Sequence, residues 1–489
     1  ANSYLLLISL DAVCHMAESG DPTQRVAALR DLGRLEKRAG DAAITAVSAR
    51  LQDSIGDVRS EAVEVLARVA EQGNQHAITA VSARLQDENW HVREAAVQAL
   101  ALVSEKDDQH VITVLSAQLA DHTGQVRVAA LRALGQVAHE GNSAVINMVS
   151  ALLKDSKGSV RWAAVEVLVR IAEKGNQHAI SAVSAQVDHC HWRVREAALQ
   201  ALAQVADRGN RQVISVVGAR LEDGRGEVRE AAVRALAIVA EQGNEAITAV
   251  SSRLEDIDVR VRWAAVEVFA GFVQKGDQRA IMALSSRLED SDACVRQASV
   301  HALSQVAVTG DQHVITVVSA RLEDGEAQVR QAAIEALTRV TDKGDQYTIS
   351  AVIARLDHGH WRIREAAMEA LAKVAKRGDE HAIIAVSCQL ADSAGPVRAA
   401  AVQALAELVA EKADHHAIMA MSARLGDGDA CVRKAALQSL AQVAEKSGRS
   451  AVTAIRTLLG DGDECVREAA VKALAQVSAE EGDILAMSA

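Results

Sequence analysis

Apolar residues along this chain recur at helical spacing in short runs, and the runs themselves return at a fixed interval. The stretch from Arg296 to Arg330 displays the order. Ala298, Val300, Leu303, Val306 and Ala307 line one face of a helix. Gly310 then supplies a stop, and Asp311 an N-cap for a second helix. That helix carries Val314, Ile315, Val318 and Leu322, and the turn Asp324-Gly325-Glu326-Ala327 leads to Arg330. Glycine followed by Asn or Asp returns at Gly73-Asn74, Gly175-Asn176, Gly243-Asn244, Gly344-Asp345 and Gly378-Asp379. Each repeat therefore reads helix, turn, helix, turn.

The register is set by arginine. Val-Arg-x-Ala-Ala or its nearest equivalent places Arg25, Arg59, Arg93, Arg127, Arg161, Arg195, Arg229, Arg262, Arg296, Arg330, Arg364, Arg398, Arg433 and Arg467. Of the thirteen intervals, eleven are 34 residues, one is 33 and one is 35. A lone helix pair cannot bury its apolar stripe, so such a pattern is stable only as a stack in which neighbours cover one another. The expectation is an all-α chain, an α-solenoid of about 14 helical hairpins. No linker or shift in composition interrupts the period, so residues 1–489 read as a single continuous array.

Composition sharpens this. Only 2% of residues are aromatic and two are proline, while 49% are apolar, with Ala and Val dominant. Thin layers of small side chains fit those figures; a large globular core built on aromatics does not. Charged residues are 24%, which argues against disorder. The six cysteines form no CxxC pair and read as free thiols in a reducing, intracellular compartment. No apolar run approaches the ~20 residues of a membrane span. Tyr4 to Leu10 is apolar but lacks a basic leader, and reads as helix rather than signal peptide.

A 34-residue period also suits tetratricopeptide repeats, but those place Trp, Tyr, Phe and Pro at fixed positions that are absent here. Instead an aspartate stands six residues before the arginine in eleven of the thirteen repeats from Arg59 onward. The pairs include Asp53/Arg59, Asp87/Arg93, Asp223/Arg229, Asp290/Arg296, Asp324/Arg330, Asp427/Arg433 and Asp461/Arg467. His189 and His358 replace it in two repeats. The pattern resembles the HEAT-repeat family over essentially the whole chain. That resemblance implies a ladder of these Asp and Arg residues between neighbouring repeats. It also implies a role among scaffolds and adaptors, such as phosphatase scaffold subunits and nuclear transport receptors, though fold alone does not establish one.

Family members typically line their concave side with the second helix. On that helix three positions vary, one, five and nine residues past the arginine, all on one face. They include Trp162 and Trp263 in the first row, Arg132, Glu166, Arg234 and Glu267 in the second, and Arg170 in the third. Over the thirteen repeats the rows sum to −4, −2 and +3. A mixed, slightly acidic face disfavours nucleic acid, which needs a basic surface to displace counterions, and suits a protein partner. Trp162 and Trp263 read either as interface anchors or as covers for a neighbouring helix.

Other chemistry is sparse. Asp188-His189-Cys190-His191-Trp192 is the one cluster with ligand-type residues, echoed by Asp357-His358-Gly359-His360-Trp361. Each lies in a short turn where alternate side chains diverge, short of the four convergent ligands a zinc site uses. The cluster reads as a variant turn, with His189, Cys190 and His191 only weak metal candidates and no cofactor implied. HEAT-like deoxyhypusine hydroxylases use His-Glu pairs on facing helices, whereas His-Glu occurs here once, at His139-Glu140. No phosphate loop, nucleophile elbow or catalytic carboxylate pair stands apart from the repeat.

The reading is a non-catalytic scaffold that binds other proteins, or a subunit bracing a large assembly. The rival is a HEAT-like enzyme or chromophore-handling factor related to bilin lyases, with a nucleic-acid-binding solenoid third. Residues Gly482 to Ala489 read as the start of a further first helix without a polar cap, so the array is expected to continue or to be covered by a partner.

Overall fold

The computed structural model describes residues 13, 15–34, 40–241, 244–409, 415–447, 453 and 455–487. The apolar opening at Tyr4–Leu10 and the turn glycine Gly243 lie outside them. Contacts gather into two compact units, residues 1–246 and 247–489, each built from the same two-helix repeat.

In the first unit the arginine-bearing long helices are Pro22–Arg34, Gly56–Val69, Trp90–Val103, Gly124–Val137, Gly158–Ile171, Trp192–Val205 and Gly226–Val239. In the second they are Val259–Phe272, Ala293–Val306, Ala327–Val340, Trp361–Val374, Gly395–Leu408, Ala430–Ser447 and Glu464–Met487. Short helices such as Gln75–Ser82 and Gln312–Ala320 alternate with them. Long helix packs on long helix and short on short within each unit.

The pattern explains the packing. A leucine seven residues past the arginine is sealed in repeat after repeat: Leu100, Leu134, Leu168, Leu202, Leu303, Leu337 and Leu371 are all buried. Burying such a side chain contributes about 2 kcal/mol. Alanines one turn away, such as Ala96, Ala130 and Ala333, bring the helices close. Short helices begin on an Asn or Asp whose side chain accepts an amide three residues on: Asn74 from Ala77 at 3.0 Å and Asp311 from Val314 at 3.1 Å.

The glycine before that cap does more than stop a helix. Its backbone is left-handed, with φ near +84° at Gly141 and Gly310, a region open to glycine at no steric cost. The turn so formed aims its N–H at a carbonyl ending the next repeat's long helix. Gly141 reaches Ile171 O at 2.7 Å, Gly175 reaches Val205 O at 2.7 Å, and Gly310 reaches Val340 O at 2.8 Å. Carbonyls that a helix terminus would leave unpaired are thus satisfied by the neighbour. Asp107 takes this place once with φ +64°, donating to Val137 O at 2.8 Å.

One sequence expectation fails at the backbone. Gly482 does not open a new turn, because Glu464–Met487 is one continuous helix through it. Ser478, Ala479, Glu480 and Glu481 before it tolerate helix well, and a single glycine costs only about 1 kcal/mol there. Ser488 and Ala489 lie outside the described residues.

Candidate partner-binding surface

The arginine of each repeat stands in the first turn of its long helix with a buried stem. Its Nη1 reaches back to the backbone carbonyl six residues earlier, which belongs to the aspartate in most repeats and to Ser19, His189 and His358 at Arg25, Arg195 and Arg364. Arg229 meets Asp223 O at 2.8 Å, Arg330 meets Asp324 O at 2.7 Å and Arg467 meets Asp461 O at 2.7 Å. The other edge of the guanidinium turns to the following repeat. Nε and Nη2 together grip the next aspartate's two oxygens: Arg93 on Asp121 (2.6 and 3.0 Å), Arg127 on Asp155 (2.7 and 2.8 Å) and Arg195 on Asp223 (2.7 and 2.7 Å) in the first unit. In the second unit Arg262 holds Asp290, Arg296 holds Asp324, Arg364 holds Asp392, Arg398 holds Asp427 and Arg433 holds Asp461 in the same way. Arg25 also pairs with Asp53, through one hydrogen bond from Nη2 at 2.9 Å and an ion-pair contact of Nε at 2.7 Å that is not aligned as a hydrogen bond.

These are charge-assisted, two-point bonds between largely buried groups. At Asp121 and Asp324 burial pushes the carboxyl up, and the bonds from the arginine, helped by the turn amide, overcome it and hold it below the usual range. At Asp392 and Asp427 the arginine bond is itself the largest influence, with the same outcome.

Three rungs differ. Arg59 makes no ion pair with Asp87 although the aspartate stands at the next turn, and Arg59 Nε is sealed without a partner. Arg161 and Arg330 face turns in which His189 and His358 replace the aspartate.

The long helices present the three variable rows outward. Trp162 is 63% exposed, a large indole standing in water, whereas Trp263 is half-buried. Trp263 lines an open cleft with Glu267, Cys294, Gln297, His301 and Gln305 between two successive long helices. Arg132 pairs with Glu166 on the next helix at 3.5 Å, and Arg170 Nη2 donates to Arg132 O at 3.3 Å. Arg170 fits there because residue 135 is glycine, whose Cβ would fall 2.5 Å from Nη2. That mid-helix glycine was the only sequence signal for the contact. Arg234 meets Glu230 one turn away at 3.1 Å. The surface is therefore a set of open clefts with interleaved charge, and a further one lies along Ala327–Val340, Trp361–Val374 and Gly395–Leu408.

The histidine turns have local jobs. His189 Nδ1 accepts the amide of His191 at 3.1 Å, and His191 Nδ1 accepts that of Arg193 at 3.2 Å, capping the helix. His358 and His360 repeat both bonds at 3.1 and 3.2 Å. Cys190 is exposed, 3.8 Å from His189 Nδ1. With Nδ1 of both imidazoles taken by backbone N–H groups, the turn does not converge on an ion. Among the described residues no group of three or more His, Cys, Asp or Glu is arranged to hold a metal.

The geometry defines a class: an all-α solenoid of stacked helical hairpins with open inter-helix clefts. HEAT repeats, as a sequence family, match residues 10–101, 44–134, 112–203, 180–270, 247–338, 315–406 and 418–487. This chain belongs to the HEAT-repeat family. Comparison with curated proteins finds no match. Among solved structures it is similar in fold to Kap121p bound to Ste12p, with TM-score 0.65 and 12% identity over 97% of this chain and 57% of that one. Kap95p, in a structure concerning the switch loops of RanGDP, gives TM-score 0.60 and 13% identity over 96% and 72%. The Kap95:Nup1 complex gives 0.58 and 14% over 97% and 73%. The chain spans a little over half the length of Kap121p. Among the described residues no helix is long and apolar enough to cross a membrane.

Proposed function

We propose that this chain is a non-catalytic scaffold that binds other proteins along its long-helix face, alone or as a bracing subunit of a larger assembly. The observation that carries the reading is Trp162, 63% exposed one helical turn before Glu166, which pairs with Arg132 on the neighbouring long helix. An exposed indole beside a paired arginine and glutamate has the composition of an interface centre, in which an aromatic anchor supplies affinity and a polar rim excludes water. Mixed charge suits a protein surface better than a nucleic acid. The karyopherins of similar fold include chains crystallised with protein ligands, Ste12p on Kap121p and Nup1 on Kap95, which supports the same class of role here.

The test is comparative capture. Immobilised wild-type chain and a Trp162→Ala, Arg132→Glu, Glu267→Lys variant with unchanged helicity are exposed to the same cell extract. Proteins retained by the first and lost from the second, then reconstituted with purified components at micromolar affinity, support the scaffold reading. Identical retention by both, or turnover of a small molecule by the purified chain alone, removes it.

A further inference from the structure

In a filled rung the turn aspartate performs two tasks at once. One oxygen accepts the amide two residues on, which shapes the turn: Asp155 from Lys157 at 2.8 Å, Asp290 from Asp292 at 3.0 Å. Both oxygens also receive Nε and Nη2 of the preceding repeat's arginine. His189 and His358 keep the first task, through Nδ1. A neutral imidazole has one acceptor, already used, and no oxygen pair to match a guanidinium fork.

Arg161 and Arg330 are consequently held by Nη1 alone. Arg161 donates to Asp155 O and Ser156 O at 2.7 and 3.2 Å, and Arg330 to Asp324 O and Gly325 O at 2.7 and 2.9 Å. Their Nε and Nη2 make no hydrogen bond or ion pair, yet are not sealed from solvent. Both residues are over nine-tenths buried, at 9% and 8% exposure, so the stems are fixed and the fork is pre-aimed. Arg59 is unlike them, because its Nε is sealed.

We propose that Arg161 and Arg330 each dock one carboxylate, an aspartate or glutamate side chain presented by a partner protein, in the place that the rung aspartate takes in other repeats. The occupant's chemistry follows from the fold's own usage. The same two nitrogens, on the same stem, hold an aspartate at Arg93, Arg127, Arg195, Arg262, Arg296, Arg364, Arg398 and Arg433. Two-point carboxylate recognition by arginine is geometrically specific. The surroundings select a single negative charge over a polyanion. Each fork has a half-buried glutamate nearby, Glu196 by Arg161 and Glu365 by Arg330, and burial raises the carboxyl of both. Around Arg330 the open cleft also holds Arg362, Glu369, Lys373 and Glu407, a balanced set without the net positive charge needed to displace counterions from a nucleic-acid backbone.

This deepens the protein-binding reading and rests on it. The probe is a fluorescein-labelled peptide of residues 321–329, which carries Asp324 in its own turn sequence, titrated onto the full chain by fluorescence anisotropy. Saturable binding is expected below about 1 mM. It should weaken at least tenfold for the Asp324→Asn peptide, for an Arg161→Met, Arg330→Met chain, and for a His189→Asp, His358→Asp chain. That last variant fills both forks from within, so its loss of binding must come with a raised melting temperature, which excludes misfolding as the cause. Equal binding by the His→Asp chain, absence of saturable binding, or a phosphoserine version of the peptide binding more tightly than the aspartate one, overturns the proposal. If partners captured through Trp162 are still retained by the His→Asp chain, the scaffold reading stands and only the docking inference falls.

Discussion

Two consecutive rungs of the first unit, Arg127 against Asp155 and Arg161 against His189, differ by one side chain and have different physics. In the first, guanidinium and carboxylate meet at 2.7 and 2.8 Å and each neutralises a charge the fold has taken from water. In the second the turn keeps its shape, because His189 supplies the same local acceptor, but the arginine is left to backbone carbonyls and solvent. Burial correspondingly pulls Arg161 below the ordinary guanidinium value, while the bond to Asp290 raises Arg262 above it. The comparison separates two roles that aspartate fuses elsewhere. Turn geometry needs one acceptor; charge pairing between repeats needs two oxygens.

Acid breaks the filled rungs together and is the largest lever. The rung carboxyls lie below their ordinary value in the folded chain, so their stabilisation is complete above the ordinary carboxylate value of about 4. It drains as pH falls through that value toward the depressed native ones. Glu196 and Glu365, raised by burial, carry the opposite sign and gain as pH falls. Urea midpoints should drop more between pH 6 and pH 3 than any single substitution achieves (the interval brackets the ordinary carboxylate value). Amide exchange should show protection lost first beside filled rungs and last beside Arg161 and Arg330. Uniform loss along the chain would erase the distinction.

Asp155→Ala comes next. It leaves Arg127 buried without a counter-charge and Lys157 N–H without its acceptor, and should cost about 3 kcal/mol in the local unfolding free energy. His189→Ala removes only the turn acceptor and should cost about 1 kcal/mol. Similar losses at the two sites would mean the rung adds nothing beyond the turn. The converse change, His189→Asp, should stabilise by about 1 kcal/mol, read as a higher midpoint in urea. Gly141→Ala is expected to cost about 1 kcal/mol, because its Cβ meets nothing within 4 Å and only the left-handed backbone is penalised. A larger loss would point to a damaged bond from Gly141 N–H to Ile171 O.

Much of this was legible in the chain. The interval between arginines fixed where helices begin, and the Ala, Val and Leu positions fixed which faces are covered. Trp162 and Trp263 occupy the same row, and nothing in their local sequence separates them, yet one stands in water and the other is half-buried. The long helix through Gly482 was likewise misread, since a Gly-Asp dipeptide carries the same letters whether it turns or stays helical.

By itself the sequence determined a stack of two-helix repeats, because a 34-residue period of amphipathic stripes has no other way to bury itself. It could not decide which aspartate an arginine holds. The one six residues before and the one twenty-eight after recur in the same register, and only the stacking distance assigns the carbonyl of the first and the carboxylate of the second. The tertiary structure also decided that left-handed glycines feed amide hydrogens to the next helix, and that two arginines face turns with no carboxylate at the rung position. Those facts belong to contacts between neighbours, which a periodic sequence leaves degenerate until the layers come to rest on each other.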